Sequence, residues 1–273
     1  MLVATKNRLT LIYLLALNVM NIILFTQQEL ADGVELDDHR AAHVRNVLSI
    51  SDGHTFDAGV INGMRGKAKF GPAKDGKLEI DFETTEPSSK LYPINVVVGL
   101  SRPQTCRFVL RSLACLGVNS IEFVKTESGE KSYASSQLWT SGEYLNIVTT
   151  AVSQSFETRL PEIRLGKTLN EAIGGKTNAD SPQTNICLDN YEATTSLATT
   201  IDSAASSPIR LLIGAERGWT DSERSLIRDR GFVMASMGSR VLRVETAVVA
   251  AVSTLLAKQF WINESGTLST RCD

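Results

Sequence analysis

The sequence predicts an α/β protein in two parts: a small β-rich segment, then a larger one in which strands and helices alternate. Three observations carry this. Short strand-like runs separated by turn residues fill the chain up to about Lys90. The polar, proline-bearing stretch Glu86-Pro87-Ser88-Ser89-Lys90 then reads as a linker. Beyond it, apolar runs such as Ile94–Leu100, suited to strands buried on both faces, alternate with helical periodicity. The 273 residues, 42% of them hydrophobic, are enough for a proper core.

The elements follow in order. Leu9 to Phe25 is apolar and preceded by Lys6 and Arg8, as in a signal peptide or short membrane span. Asn18 and Asn21 interrupt the run, and no small-residue cleavage site follows it. Residues 1–19 are therefore read as an extended start or hydrophobic leader, with Met20 opening MNIILF as the first strand. Asp37-Asp38 caps a helix carrying Ala41, Val44, Val47 and Leu48 on one stripe. Asn62-Gly63 turns Thr55–Ile61 into Lys67–Phe70, and Lys77–Phe82 adds a further strand.

In the second part, Pro103 opens a helix that runs to about Leu116 and is stopped by Gly117. Ser120–Val124, Asn185–Leu188, Ile209–Ile213 and Phe232–Ser236 read as strands, and Glu143–Phe156 as a helix. Thr220-Asp-Ser-Glu223 is a capping box, and Gly231 closes the helix it opens. The last helix, about Val244 to Lys258, buries a stripe from Val244 to Leu256. An open sheet of this kind binds small molecules beyond the carboxyl ends of its strands.

A formal net charge of −2, with Lys+Arg 28 against Asp+Glu 30, excludes a polycationic or acidic-tail protein and indiscriminate nucleic-acid binding. Local basic runs remain: Arg65, Lys67, Lys69, Lys74 and Lys77, and then Arg102, Arg107 and Arg111. The four cysteines lack paired metal spacing and read as reduced thiols of a cytoplasmic protein. His39 and His43 share a helical face at i, i+4, but no glutamate accompanies them, so no metal is assigned.

Two late segments concentrate chemistry. Leu211-Leu-Ile-Gly214-Ala-Glu216-Arg217-Gly218-Trp219 runs from an apolar strand into a glycine loop, where backbone can approach a ligand closely. It is neither a dinucleotide fingerprint nor a P-loop. Met237-Gly238-Ser239-Arg240-Val241-Leu242-Arg243-Val244-Glu245-Thr246 leads two arginines into a helix whose first turn carries an acid, which suits the helix dipole.

At these residues the sequence resembles the RsmE family, SPOUT-class methyltransferases that modify N3 of a uridine in 16S, small-subunit ribosomal RNA. IGAERGWTDSE and MGSRVLRVETA are similar to that family's paired C-terminal signature. MNIILF, Arg40-Ala-Ala-His43-Val-Arg45, Arg102-Pro103, Leu116-Gly117-Val118, Glu130-Lys131-Ser132-Tyr133 and Leu160-Pro161-Glu162-Ile163 follow in family order, from Met20 to about Leu256. The resemblance implies a PUA-like β-barrel at 20–88, an α/β SPOUT domain with a trefoil knot at 91–260 and a tail at 261–273. It further implies a homodimer without stable membrane association, acting on small-subunit RNA or the assembled subunit. S-adenosyl-L-methionine would lie against Ile213, Gly214, Glu216, Gly218, Met237, Gly238, Val241, Leu242 and Thr246. Arg243 would stabilise charge on the uracil carbonyls, and Glu245 would take the N3 proton or hold Arg243. Arg65, Lys67, Lys69, Arg102, Arg107 and Arg111 are the candidate phosphate contacts.

The sequence also departs from the family pattern. Ala215 stands where proline is usual and Arg217 where glycine is usual. Gln104 or Thr105 replaces a basic residue, Ser153 and Cys115 replace glutamates, and arginines typical near Ser128 and Phe156 are missing. These changes raise a second expectation, a catalytically weakened RNA- or ribosome-binding paralogue that keeps the fold.

Overall fold

A computed structural model describes residues 21–46, 55–174, 183–202 and 208–261. Its chain divides into two units, one running to Lys90 and including Thr149–Leu160, the other comprising Leu91–Val148 and the residues from Pro161 onward. Linear reading assigns all of 91–260 to the second domain; the return of Thr149–Leu160 to the first is not visible in local sequence.

In the first unit, β1 (Ile23–Phe25), α1 (Gln27–Asp32), β2 (Val34–Glu35), α2 (His39–Asn46), β3 (Phe56–Val60), β4 (Met64–Lys74) and β5 (Lys77–Pro87) follow one another. The sheet order is β1-β3-β4-β5-β2, with β1 parallel to β3 and the remaining pairs antiparallel. The Asn-Gly turn forms: Asn62 adopts φ +59° and Gly63 N–H donates to the Val60 carbonyl at 2.8 Å. Strand β5 runs to Pro87, so the first two residues of the expected linker, Glu86 and Pro87, are strand paired with Arg65 and Met64, and residues 88–90 follow it without regular structure. Val47, Leu48 and His54 lie outside the described residues.

Helix α1 was not expected. Thr26 and Glu29 cap it reciprocally, and Arg40 holds it in place. The Arg40 guanidinium is bound by Glu29 and Asp38, donates to the Leu24 carbonyl at 3.0 Å and lies 4.8 Å from the Phe25 ring centre. The Arg-Ala-Ala motif thus ties β1, α1 and α2 around a core of Phe25, Val34, Ala41, Val44, Phe56, Ala58, Ala68 and Leu78.

In the second unit, β6 (Tyr92–Gly99), α3 (Pro103–Cys115), β7 (Val118–Lys125), α4 (Gln137–Thr140), α5 (Glu143–Gln154), β8 (Glu162–Thr168), α6 (Leu169–Ile173), β9 (Thr184–Leu188), β10 (Thr195–Ser196), α7 (Leu197–Asp202), β11 (Ile209–Ile213), α8 (Asp221–Asp229), β12 (Val233–Ser236) and α9 (Val244–Gln259) alternate as expected. The C-terminal half of α5, from Thr149, belongs to the first unit. A seven-stranded sheet runs β10-β12-β9-β11-β6-β7-β8, every pair parallel. Its central strands are apolar on both faces: Ile94, Val96, Val97, Val98, Ile121, Phe123, Ile186, Leu211 and Leu212 are all buried. The chain leaves β6 towards β7 and β8, then returns to build the other half from β9 and inserts β11 beside β6. That reversal opens a crevice beyond the carboxyl ends of β6, β9, β11 and β12.

Candidate active site

The crevice forms around two tight turns. After β11, Ala215–Gly218 closes with Gly218 N–H donating to the Ala215 carbonyl at 2.8 Å, and Gly218 takes φ +67°. This turn presses on the end of β6, where a Cβ at Gly99 would fall 2.5 Å from the Ala215 nitrogen. Trp219, buried behind the turn, donates its indole N–H to the Leu188 carbonyl at 3.2 Å and so fixes the end of β9. The capping box of α8 forms as expected, Thr220 with Glu223.

Asp189, just past β9, accepts from the backbone N–H groups of Tyr191 and Glu192 at 2.7 and 2.6 Å. Its other oxygen accepts from Arg224 Nε at 2.9 Å, a buried ion pair. Arg224 also binds Asp221 and lies 4.7 Å from the Tyr191 ring centre. Linear reading missed this 188–191 wall. An Asp two residues before an exposed tyrosine carries too little local signal; only the later arginine on α8 gives it meaning.

Together these segments enclose a cavity of about 420 Å³. Of the expected cofactor residues, Ile213, Gly214, Glu216, Gly218, Met237, Val241 and Leu242 line it, as do Arg243 and Glu245. Gly238 and Thr246, both exposed, do not. Gly238 instead turns the chain at φ +100°, and Thr246 lies in the first turn of α9.

The cavity's charges sort by partnership. Arg102 donates to Glu216 from its backbone N–H at 3.1 Å and from its side chain at 3.4 Å. Burial opposes the Glu216 charge, but these donors and the Ser101 hydroxyl outweigh it and hold the carboxyl below its ordinary range. Asp189 is paired with Arg224. Glu245 differs: its carboxylate accepts only from the Thr105 hydroxyl, at 3.2 Å, and among the described residues it has no cationic partner. Arg243, the N-cap of α9, has an exposed side chain and no acidic partner among them either. The expected alternative, Glu245 holding Arg243, is therefore not the arrangement found. Burial pushes the nearby Cys106 thiol up to about 12, which leaves it no thiolate for nucleophilic work.

The expected phosphate contacts divide in the same way. Arg65 is 4% exposed and salt-bridged to Glu86 and Glu157 at 3.1 and 3.2 Å. The structure corrects its reading as a surface cation, because its strand position faces inward and its charge is neutralised there. Lys67 and Lys69 are half exposed on β4 but bridge to Asp57 and Asp81 at 2.7 and 2.9 Å. Arg107 is gripped by both Glu143 oxygens, at 2.6 and 2.7 Å. Arg111, one turn along α3, is exposed. Among the described residues no three His, Cys, Asp or Glu side chains converge as a metal site would require; the side chain of His43 lies outside them.

The comparisons with known proteins give the family and the fold. A family model described as an RNA methyltransferase domain matches residues 87–256. A ribosomal RNA small subunit methyltransferase E of Treponema pallidum (strain Nichols) is 36% identical over 244 residues, covering 87% of this chain and 91% of the relative. The chain belongs to the ribosomal RNA small subunit methyltransferase E family. Membership extends to a relative from Borreliella burgdorferi, 30% identical over 85% of this chain and 95% of its own. Among solved structures, the methyltransferase E of Neisseria gonorrhoeae bound to S-adenosyl methionine shares the fold at TM-score 0.69 and 24% identity, covering 87% of this chain and 97% of that one. A probable rRNA methyltransferase of Porphyromonas gingivalis does so at TM-score 0.72 and 21% identity, over 88% and 100%.

Proposed function

We propose that this family member transfers a methyl group from S-adenosyl-L-methionine to N3 of a uridine in 16S ribosomal RNA, with the 420 Å³ cavity holding the cofactor. The observation that carries the reading is the convergence of the 213–219 and 237–245 segments on one cavity at the carboxyl ends of β9, β11 and β12. Its size falls in the range of small-molecule sites, and its wall mixes apolar Leu188, Ile213, Trp219 and Leu242 with glycine-loop backbone. That donor set fits a nucleoside carrying a charged tail. The cofactor supplies an already activated methyl on its sulfonium. The chain's own residues then align the attacking nitrogen, and Arg243 faces the charge that develops on the uracil carbonyls. Of the three carboxylates lining the cavity, Asp189 and Glu216 are held by arginines. Glu245, without such a partner, is the one proposed to accept the N3 proton.

The finer architecture proposed with this function is a trefoil knot in the second unit, a PUA-like barrel in the first, and a homodimer with its active site at the subunit interface. Phe108, Leu145, Val241 and Trp261 are large apolar side chains left exposed in the single chain, and we assign them to the partner contact. A cytoplasmic setting is proposed, in keeping with the buried free thiols of Cys106 and Cys187; among the described residues no helix is long and apolar enough to cross a membrane. RNA contact is proposed at Arg111 and, where their acids release them, at Lys67, Lys69, Arg102 and Arg107.

Labelled methyl transfer from S-adenosylmethionine to unmodified small subunits tests the function. The expected result is incorporation, recovered as 3-methyluridine. Cofactor binding without incorporation would instead identify the weakened, RNA-binding paralogue.

A further inference from the structure

Four arginines line the 420 Å³ cavity, and three have an explanation. Arg102 and Arg224 are paired with Glu216 and Asp189, and Arg243 carries the charge-stabilising role proposed above. Arg217 has neither a carboxylate partner among the described residues nor a role in the chemistry. It stands at the third position of the Ala215–Gly218 turn, which its closing hydrogen bond and the contact of Ala215 with Gly99 make rigid. Its side chain is exposed, and it lines a second cavity of about 560 Å³ on the other side of the turn.

The lining of that second cavity is acidic. Glu127, Glu130 and Glu216 contribute to it, against Arg102 and Arg217, and Arg102 is already engaged by Glu216. Glu127 accepts from the hydroxyls of Thr220 and Ser222, both at 2.6 Å, which hold its carboxyl below the ordinary range and so keep it charged. Of the two cations lining it, Arg217 is the one not held by a carboxylate among the described residues, so it is the unengaged positive charge that a polyanionic strand passing here would meet. The turn fixes the backbone that carries Arg217, and its planar guanidinium fork matches a phosphate oxygen pair.

We propose that Arg217 contacts a backbone phosphate of the substrate RNA strand at the rim between the two cavities, setting RNA affinity and not cofactor affinity. This rests on the reading of the smaller cavity as the cofactor site. The test uses the full-length protein and its Arg217→Gly, Arg217→Lys and Arg217→Glu variants. Anisotropy of a labelled, uridine-containing single-stranded RNA is followed across a salt series, with S-adenosylmethionine binding by calorimetry in parallel. One lost phosphate contact should make the log Kd against log salt slope shallower by about 0.7. For Arg217→Gly the expected result is that change, an affinity about five- to tenfold weaker in low salt, and an unaltered S-adenosylmethionine Kd. Arg217→Lys should keep the slope, and Arg217→Glu should weaken RNA binding further. An unchanged slope in Arg217→Gly overturns the proposal, as does weakened S-adenosylmethionine binding with RNA affinity intact. Failure of the wild type to bind S-adenosylmethionine would instead remove the cofactor reading, leaving the RNA slope to judge Arg217 by itself.

Discussion

At the scale of single residues, partnership separates working charges from structural ones. Arg243 caps α9 with its side chain unengaged, so Arg243→Ala should leave the fold and the cofactor Kd intact. Methyl transfer should fall by about a hundredfold or more, the usual cost of removing one preorganised charge donor, as read in single-turnover kinetics. Loss of cofactor binding in that variant would contradict the assigned role. Glu216 works in the opposite way. Burial disfavours its charge, yet Arg102 holds its pKa below the unfolded value, so its contribution is present above that value and lost as pH falls through the depressed one. The pair is part-exposed, which limits it to about 1 kcal/mol or less. Melting curves of Glu216→Gln and wild type should therefore differ slightly at pH 7 and converge as the pH falls through the depressed Glu216 value.

At the scale of elements, the cavity depends on how closely the 215–218 turn seats on β6. In Gly99→Ala the new methyl would fall 2.5 Å from the Ala215 nitrogen, and backbone on both sides must move. The expected outcome is a cofactor Kd raised about tenfold or more, with helix content unchanged by circular dichroism. Legibility follows the same scale. Pro103, the Thr220–Glu223 box and the run of β6 are local signals, and the elements they predict are present. Both glycine loops were legible because they combine a strand end with residues of special conformation. Helix α1 was not, since Gln27–Asp32 is short, buries no residue and is fixed by Arg40 from outside itself. The Asp189–Arg224 pair and the inward turn of Arg65 are likewise products of packing between distant segments, which no local pattern encodes.

At the scale of the whole molecule, exposed Phe108 on α3 tests the proposed dimer. Phe108→Asp should sediment as a monomer where the wild type sediments as a dimer, and it should lose methyl transfer with it. A wild type that is monomeric at micromolar concentration would remove the shared-site arrangement. The sheet order also bears on how the chain is made. Ile209–Ile213 lies between two strands that precede it, opposite Ile94–Val98 on one side and Thr184–Leu188 on the other. During synthesis, then, the apolar edge of β6 emerges early and waits, unpaired, for a strand near the end of the chain. Until that strand arrives the nascent protein carries an open hydrophobic edge. Its need for chaperone protection should end only once the segment that closes the sheet has left the ribosome.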